Sequence, residues 1–154
     1  MALTLEGLND PKELGGILVD VEERFKNADY AETLFPFLAT LEQTHGQQFR
    51  SQQDSSGAAW APLAASTIAR KRHSRILYET GALEASLAGN TGDSVRAVSH
   101  RGLLFGTQVE YAGFHQEGTS RMPARPPVGM QVQTLDEMVN AVADAAVEQL
   151  KYTF

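Results

Sequence analysis

The stretch LFGTQVEYAGFHQEGTSRMPARPPVGM, from Leu104 to Met130, changes character twice along its length. It begins as an apolar strand, continues through YAGFHQEG as one turn of helix stopped by Gly118, and ends in a segment rich in proline and arginine. Proline has no amide hydrogen to donate to a strand ladder, so residues 120–127, SRMPARPP, do not suit the middle of a sheet. We therefore expect the strand to belong to the core and the proline-rich segment to be an extended arm available to a neighbouring subunit.

A second strand precedes this stretch. Residues 94–99 and 103–108 are typical of two strands, and His100, Arg101 and Gly102 between them suit a short hairpin loop whose glycine can take a positive φ. The sequence therefore predicts a small antiparallel sheet in the second half of the chain.

A helix is predicted after the arm. Thr134 and Glu137 have the spacing of a capping box, and apolar residues at helical spacing continue to about Lys151. This helix is expected to pack on the sheet. Its predicted inward stripe is Leu135, Met138, Val139, Val142, Ala146 and Leu150.

Helices are also predicted before the hairpin. Asp10 followed by Pro11 indicates a helix start, and this helix should run to about Lys26. A second helix is expected at residues 29–52, with Pro36 either kinking it or separating its first turn. Further short pieces are a weak strand at residues 2–8, a helix at residues 67–71 and helical turns within residues 76–89. Helices before and after a small antiparallel sheet in the sequence predict an α+β fold.

Length and composition indicate one domain, residues 1–154, with residues 51–60 and 119–129 as long loops or arms. The chain has no cysteine, which excludes disulfides, thiolate zinc sites and cysteine nucleophiles. The N-terminus does not resemble a secretory signal, and no apolar run approaches the length of a membrane span. We expect a protein that folds in the cytoplasm.

Charge is distributed in blocks. Residues 1–65 carry ten acids and four bases, residues 66–131 carry five acids and eight bases, and residues 132–154 carry four acids and one base. Acidic and basic faces on one chain suit contact between unlike faces of successive copies in a ring. Solvated faces are the alternative, and a DNA-binding module would favour a basic domain overall.

No catalytic motif is present in the sequence. The four histidines, His45, His73, His100 and His115, are isolated from one another, and neither GxSxG nor a glycine-rich phosphate loop occurs. We therefore expect no catalytic residue, no cofactor and no metal. A small metal-dependent nuclease or hydrolase is the distant alternative, and it would need an acidic cluster that forms only in space.

An ordered series of short motifs resembles the phage virion morphogenesis family, which includes the tail completion proteins of Mu-like and P2-like phages. The resemblance covers roughly residues 40–150, and it departs from the family pattern by an extra residue between Asp54 and Trp60 and at Pro127 and Val128. The matching positions are Asp54, Gly57, Trp60, Pro62, Leu63, Leu77, Thr80, Gly81, Leu83, Gly106, Thr107, Tyr111, Ala112, His115, Gln116, Gly118, Pro123, Ala124, Arg125 and Pro126.

The resemblance implies a structural virion protein without catalysis or cofactor. It implies a homo-oligomeric ring, expected to be a hexamer, at the top of the tail or at the head-to-tail junction. Its partners would be further copies of itself and the adjacent tail-tube and neck proteins, with phage DNA passing through the lumen without sequence-specific binding. The chain would be assembled in the host cytoplasm and reside in the virion, and a head-side connector or adaptor subunit is the alternative.

Two groups of residues follow as candidates. The planar guanidinium of arginine suits pairing with carboxylates across an interface, and an intrachain salt bridge is the alternative use. The interface candidates are Arg121, Arg125 and Pro126 in the arm and Arg70, Lys71 and Arg72 in the basic run ARKRHSR. The packing anchors are Trp60, Leu63, Tyr111 and His115.

Overall fold

The computed structural model describes residues 11–151, with only the backbone described at seven positions near the start of the first helix. The strand expected at residues 2–8 and the cap expected at Asp10 lie outside the described residues. The elements follow in the order α1 (Pro11–Asn27), α2 (Ala31–Leu34), α3 (Pro36–Ser51), α4 (Ala65–Lys71), α5 (Ala82–Ala88), β1 (Ser94–Ser99), β2 (Gly102–Thr107), α6 (Ala112–Glu117) and α7 (Val132–Lys151).

Pro36 divides the helix that was expected at residues 29–52. It occupies the first position of α3, where its missing amide hydrogen would have no helical partner in any case. The preceding turn forms α2, whose start is stabilised by the Asp29 carboxylate accepting a hydrogen bond from the Ala31 amide at 2.9 Å. The second of the two outcomes predicted for Pro36, a separate first turn, is therefore correct.

The two strands pair antiparallel as predicted, but Gly102 belongs to β2 and does not take the positive φ expected of it. Their register places Ser94 opposite Thr107 and Ser99 opposite Gly102. The carbonyl of His100, in the turn, accepts a hydrogen bond of 2.9 Å from the Tyr30 amide. This bond attaches the tip of the hairpin to the start of α2.

The core lies between α3, α5 and the sheet. Helix α5 packs against α3 and both strands, while α2 contacts both strands and α7. Burying a large apolar side chain contributes about 1.5–3 kcal/mol, so this cluster is the main stabilising feature of the fold. Its buried members are Phe49, Trp60, Ile76, Leu77, Leu83, Leu87 and Ala112. The arrangement of helices and a small antiparallel sheet is the α+β fold predicted from the sequence.

Helix α7 contacts α1 and α2. Three details predicted for it are wrong. It packs on these two helices, and not on the sheet as expected. The helix begins at Val132, two residues before the expected cap, so Thr134 is buried in its first turn and Glu137 accepts a hydrogen bond from the Gln133 side chain at 3.1 Å instead of completing a capping box. The predicted inward stripe is also divided, since Ala146 is buried but Leu135 and Val139 are exposed. No helix within the described residues is long and apolar enough to cross a membrane.

Candidate functional site

Two segments far apart in the sequence enclose an open groove of about 830 Å³. One side consists of residues 62–80, which include α4 and the turn before α5. The other side consists of residues 111–125, which include α6 and the first part of the proline-rich arm. The groove therefore depends on how the arm is held against the loop at residues 60–64.

Arg125 ties the arm to that loop. Its side chain is 5% exposed, and its guanidinium donates hydrogen bonds from Nε to the Ala61 carbonyl at 2.6 Å and from Nη2 to the Pro62 carbonyl at 2.9 Å. Its backbone amide also donates to the His115 carbonyl at 2.7 Å. Burial lowers the pKa of Arg125 from its ordinary value. A guanidinium remains charged in proteins even so, which makes these bonds charge-assisted.

This position revises the role expected for Arg125. The guanidinium bonds within its own chain, to backbone carbonyls and not to a carboxylate as an intrachain salt bridge would require. Its structural contribution is thus to hold the arm, which forms one side of the groove, against the loop at residues 60–64. Direct contact with a neighbouring subunit stays a prediction for this residue, and the exposed cations of the same groove are better placed for it.

Trp60 holds the arm at Pro126, the residue that follows Arg125. The indole is 4% exposed and packs edge-on against the Phe49 ring at a centroid distance of 5.4 Å. Its Nε1 donates a hydrogen bond to the Pro126 carbonyl at 3.1 Å. Pro127 is among the most deeply buried residues of the chain. Trp60 thus contacts both the core and the arm of its own chain, and Pro126 is not among the residues that line the groove.

His45 holds the far end of the arm. This imidazole is buried, with Nδ1 donating to the Leu41 carbonyl at 2.7 Å and Nε2 accepting from the Gly129 amide at 3.3 Å. Desolvation by burial lowers its pKa, so the ring is neutral near pH 7. The arm has no helix or regular strand, in keeping with its proline content, but it lies against its own domain through these bonds.

The loop between α3 and Trp60 is ordered by Asp54. One carboxylate oxygen of Asp54 accepts hydrogen bonds from the Ser56 amide at 2.9 Å, the Ser56 hydroxyl at 2.6 Å and the Ala58 amide at 3.0 Å. The Ser56 hydroxyl is the main reason that the pKa of Asp54 is lowered. Gly57 completes the turn with a φ of +86°. This turn reverses the chain so that Trp60 lies in the core, which explains the spacing of Asp54, Gly57 and Trp60.

Four cations line the groove, together with one carboxylate, Glu79. They are Arg70, Lys71, Arg121 and Arg125. Lys71 donates to the Arg75 carbonyl at 3.2 Å, and desolvation lowers its pKa. The guanidinium groups of Arg70 and Arg121 are exposed and make no hydrogen bond or ion pair with any residue that the structure describes. Two cations in this groove are thus free to meet an acidic partner.

Apolar side chains form the rest of the groove surface. Tyr111 is 43% exposed and meets the half-buried ring of His115 edge-on, with 6.0 Å between ring centroids. Desolvation lowers the pKa of His115, and the positive charges of Arg125 and Lys71 add to the effect. The His115 imidazole is therefore neutral near pH 7. Leu63 and Met122 add aliphatic surface.

The two candidate groups thus meet in one place. The groove brings together Arg70, Lys71, Arg121 and Arg125 with the anchors Leu63, Tyr111 and His115. It leaves out Trp60, Pro126 and Arg72, the last of which ends α4 in a left-handed conformation with a φ of +60°. The sequence did not predict Tyr78 and Glu79 as site residues, because the turn that presents them was assigned to helix, whereas Leu77 takes a φ of +55° there.

The chemistry of this groove is that of a binding surface. No group of three or more histidine, aspartate or glutamate side chains able to hold a metal ion occurs among the described residues. The groove offers cations, aromatic rings and aliphatic surface, which together suit an acidic and partly apolar macromolecular segment.

Comparison with protein-family models gives a match to the phage virion morphogenesis family over residues 21–147. Searches of curated proteins and of solved structures return no match. The matched range includes α3, the Asp54 turn, both strands and all residues that line the groove. By this match over most of its length, the chain belongs to the phage virion morphogenesis family.

Proposed function

We propose that this chain is a structural virion protein that forms a homo-oligomeric ring, a hexamer, and completes the tail or joins it to the neck of a tailed phage. Membership of the family supports a structural or assembly role in the phage particle. The ring, its symmetry and its place at the tail top are the further content of the proposal. No catalytic step is part of it.

The observation that carries the proposal is the separation of charge on one chain. The groove holds four cations and one carboxylate, although the whole chain has a net charge of −6. A basic groove on an acidic protein is complementary to another copy of the same protein. When two different surfaces of identical chains meet, the contact repeats from copy to copy and closes into a ring if the rotation per subunit allows it.

The acidic majority also suits the proposed position. Phage DNA must move through such a ring without adhering to it, and like charges keep the phosphates away from an acidic lumen wall. The proposal therefore assigns the groove to contacts between subunits and the acidic surface to the lumen.

The test is the mass and shape of the purified protein. Light scattering coupled to size exclusion should give a mass of about six subunits at low salt, and negative-stain micrographs should show closed rings. Because exposed ion pairs are screened by salt, the rings should dissociate as ionic strength rises. A monomer at every concentration and salt level, together with infectious particles assembled without this protein, would overturn the proposal. Rings of twelve would move the protein to the head side of the neck as a connector subunit.

Two solution assays separate this role from the other candidates. Binding to DNA that falls steeply with salt would indicate a DNA-binding module. Cleavage of DNA that requires a divalent metal would indicate a nuclease. The proposal expects neither result from the assembled ring.

A further inference from the structure

We propose that about two turns of α7, residues 135–141, dock into the groove of the next copy. This inference rests on the proposed ring and names the contact that builds it. The partner is a second copy of this chain, which presents the outward face of its longest described helix.

The first observation is an unpartnered apolar stripe on α7. Val132, Leu135, Val139 and Val147 are between 49% and 74% exposed. Their spacings of three, four and eight residues place them on one face of the helix, and the small exposed Ala143 continues it. Scattered single apolar residues are ordinary on a protein surface, but a continuous stripe is typical of a surface that another protein covers.

The second observation is the charge beside that stripe. From Val132 to Leu150, α7 contains four acidic residues and no lysine or arginine. Asp136 and Asp144 are exposed beside this stripe, since Asp136 lies four positions after Val132 and Asp144 lies three positions before Val147. The outward side of α7 is therefore both apolar and acidic.

The groove has the complementary character. Arg70 and Arg121 are exposed without a described partner, while Tyr111 and Met122 supply apolar surface in the same groove. An acidic helix can thus pair its carboxylates with these arginines and bury its valine and leucine side chains against the apolar surface. Charge complementarity of this kind also fixes the orientation of the two copies.

The size of the groove agrees with this occupant. A helix about 10–12 Å across with a pitch of 5.4 Å fills roughly 400–600 Å³ per turn. The groove has a volume of about 830 Å³, which corresponds to one to two turns and not to the whole of α7. Residues 135–141 are chosen because they span two turns and include Leu135, Val139 and the exposed Asp136, whereas Glu148, further along the helix, forms an ion pair with Lys151 at 2.7 Å.

The two surfaces belong to different parts of the fold. Helix α7 contacts α1 and α2, whereas the groove is formed by α4, α6 and the start of the arm. A contact between them is heterologous, so each copy offers one groove and one helix. That is the type of contact that produces a ring.

The decisive experiment uses one variant for each surface of the full-length protein. The groove variant carries Arg70→Glu and Arg121→Glu, and the helix variant carries Leu135→Asp and Val139→Asp. All four side chains are exposed, so both variants should retain the circular dichroism spectrum and melting temperature of the unmodified chain. Each variant alone should remain monomeric at concentrations at least tenfold above those at which the unmodified protein forms rings.

An equimolar mixture of the two variants should then form dimers and stop there. The intact α7 of the groove variant meets the intact groove of the helix variant, while the remaining glutamate-lined groove and aspartate-bearing helix repel each other. Light scattering should therefore report twice the monomer mass, with no rings. This result would not arise if the two mutated surfaces each met some other part of the chain.

Matched controls separate docking from general effects of charge. Arg72→Glu changes a cation next to Lys71 that does not line the groove, and Leu104→Asp changes a leucine on β2 that is 59% exposed. Both should form rings like the unmodified chain.

The outcomes distinguish this inference from the ring itself. If the unmodified protein forms rings and either surface variant also does so, the docking inference is wrong and the ring stands. The same holds if both variants are monomeric and their mixture stays monomeric. If the unmodified protein does not assemble, the proposed function fails first.

Discussion

The indole Nε1 of Trp60 donates a hydrogen bond to the carbonyl oxygen of Pro126, 3.1 Å away and 66 positions further along the chain. This bond joins the loop that follows α3 to the arm that forms one wall of the groove. The same arm is held one residue earlier by Arg125, whose guanidinium binds the carbonyls of Ala61 and Pro62. The wall of the groove is therefore set by two adjacent residues of the arm and three consecutive residues of the loop.

Replacing Trp60 with phenylalanine should remove this bond and preserve most of the packing against Phe49. A carbonyl left without its donor in a part-buried site costs about 1–3 kcal/mol, so Trp60→Phe should lower the free energy of unfolding by that amount. Urea unfolding followed by circular dichroism measures it. Trp60→Ala, which also empties the space of the ring, should cost about 3–5 kcal/mol. An unchanged free energy of unfolding in Trp60→Phe would show that the hydrogen bond contributes nothing.

Arg125 and Arg121 should respond differently to the same substitution. Arg125→Ala removes two charge-assisted hydrogen bonds from a buried site, each typically contributing about 1.5–3 kcal/mol, and should destabilise the folded chain by at least 2 kcal/mol. Arg121→Ala removes an exposed side chain and should change stability by less than about 0.5 kcal/mol. Thermal and urea unfolding of both variants under conditions that favour the monomer test the pair. Similar stability of the two variants would contradict the anchoring role of Arg125.

The stability of the folded chain should fall between pH 7.5 and pH 5.5, in part through His45. Burial lowers the pKa of His45 from its ordinary value of 6.5, so the folded chain keeps the ring neutral where the unfolded chain binds a proton. The contribution is fully present above the unfolded pKa and is lost as the pH falls through 6.5 toward the lower folded value. Protonation also removes the acceptor for the Gly129 amide. His115 contributes with the same sign, because its pKa is lowered too.

Urea unfolding at pH 7.5, 6.5 and 5.5 measures this effect, in a range where aspartate and glutamate of ordinary pKa remain ionised. His45→Gln should reduce the loss of stability on acidification, even though the variant is less stable at pH 7.5. His100→Gln is the matched control, since His100 is exposed in the hairpin turn. An unchanged pH dependence in His45→Gln would exclude His45 as a source of the effect.

Local signals made much of the fold predictable. The hairpin follows from strand-forming residues on both sides of a short turn, and the end of α6 follows from Gly118, which takes a φ of +75°. Pro36 marked the division of the N-terminal helices because a proline amide cannot donate inside a helix. In each case the deciding interaction lies within a few residues of its cause.

The features that could not be predicted depend on residues far apart in the sequence. Helix α7 has apolar residues around most of its circumference, so periodicity alone did not show that Leu135 and Val139 face outward. The acceptors of Arg125 are carbonyls more than sixty positions earlier, and backbone carbonyls leave no sequence signature. For the same reason the basic run near Arg70 and the arm near Arg121 were predicted as separate patches, and only the fold places them in one groove.

Alanine substitutions at two glycines in or next to α6 should change the free energy of unfolding in opposite directions. Gly118 has φ and ψ of 75° and 178°, a conformation that is almost restricted to glycine, and a Cβ there would lie 2.7 Å from the Ala124 amide nitrogen. Gly118→Ala should therefore lower the free energy of unfolding by about 1–3 kcal/mol through backbone strain. It should also displace the arm, disrupt the groove wall and so weaken ring assembly. Gly113 lies inside α6 with open space around its Cβ position, so Gly113→Ala should gain up to about 1 kcal/mol. Urea unfolding gives both values, and proteolysis near residues 119–124 reports release of the arm. If the Gly118 variant unfolded and assembled like the unmodified protein, the arm would not require this turn to form the groove wall.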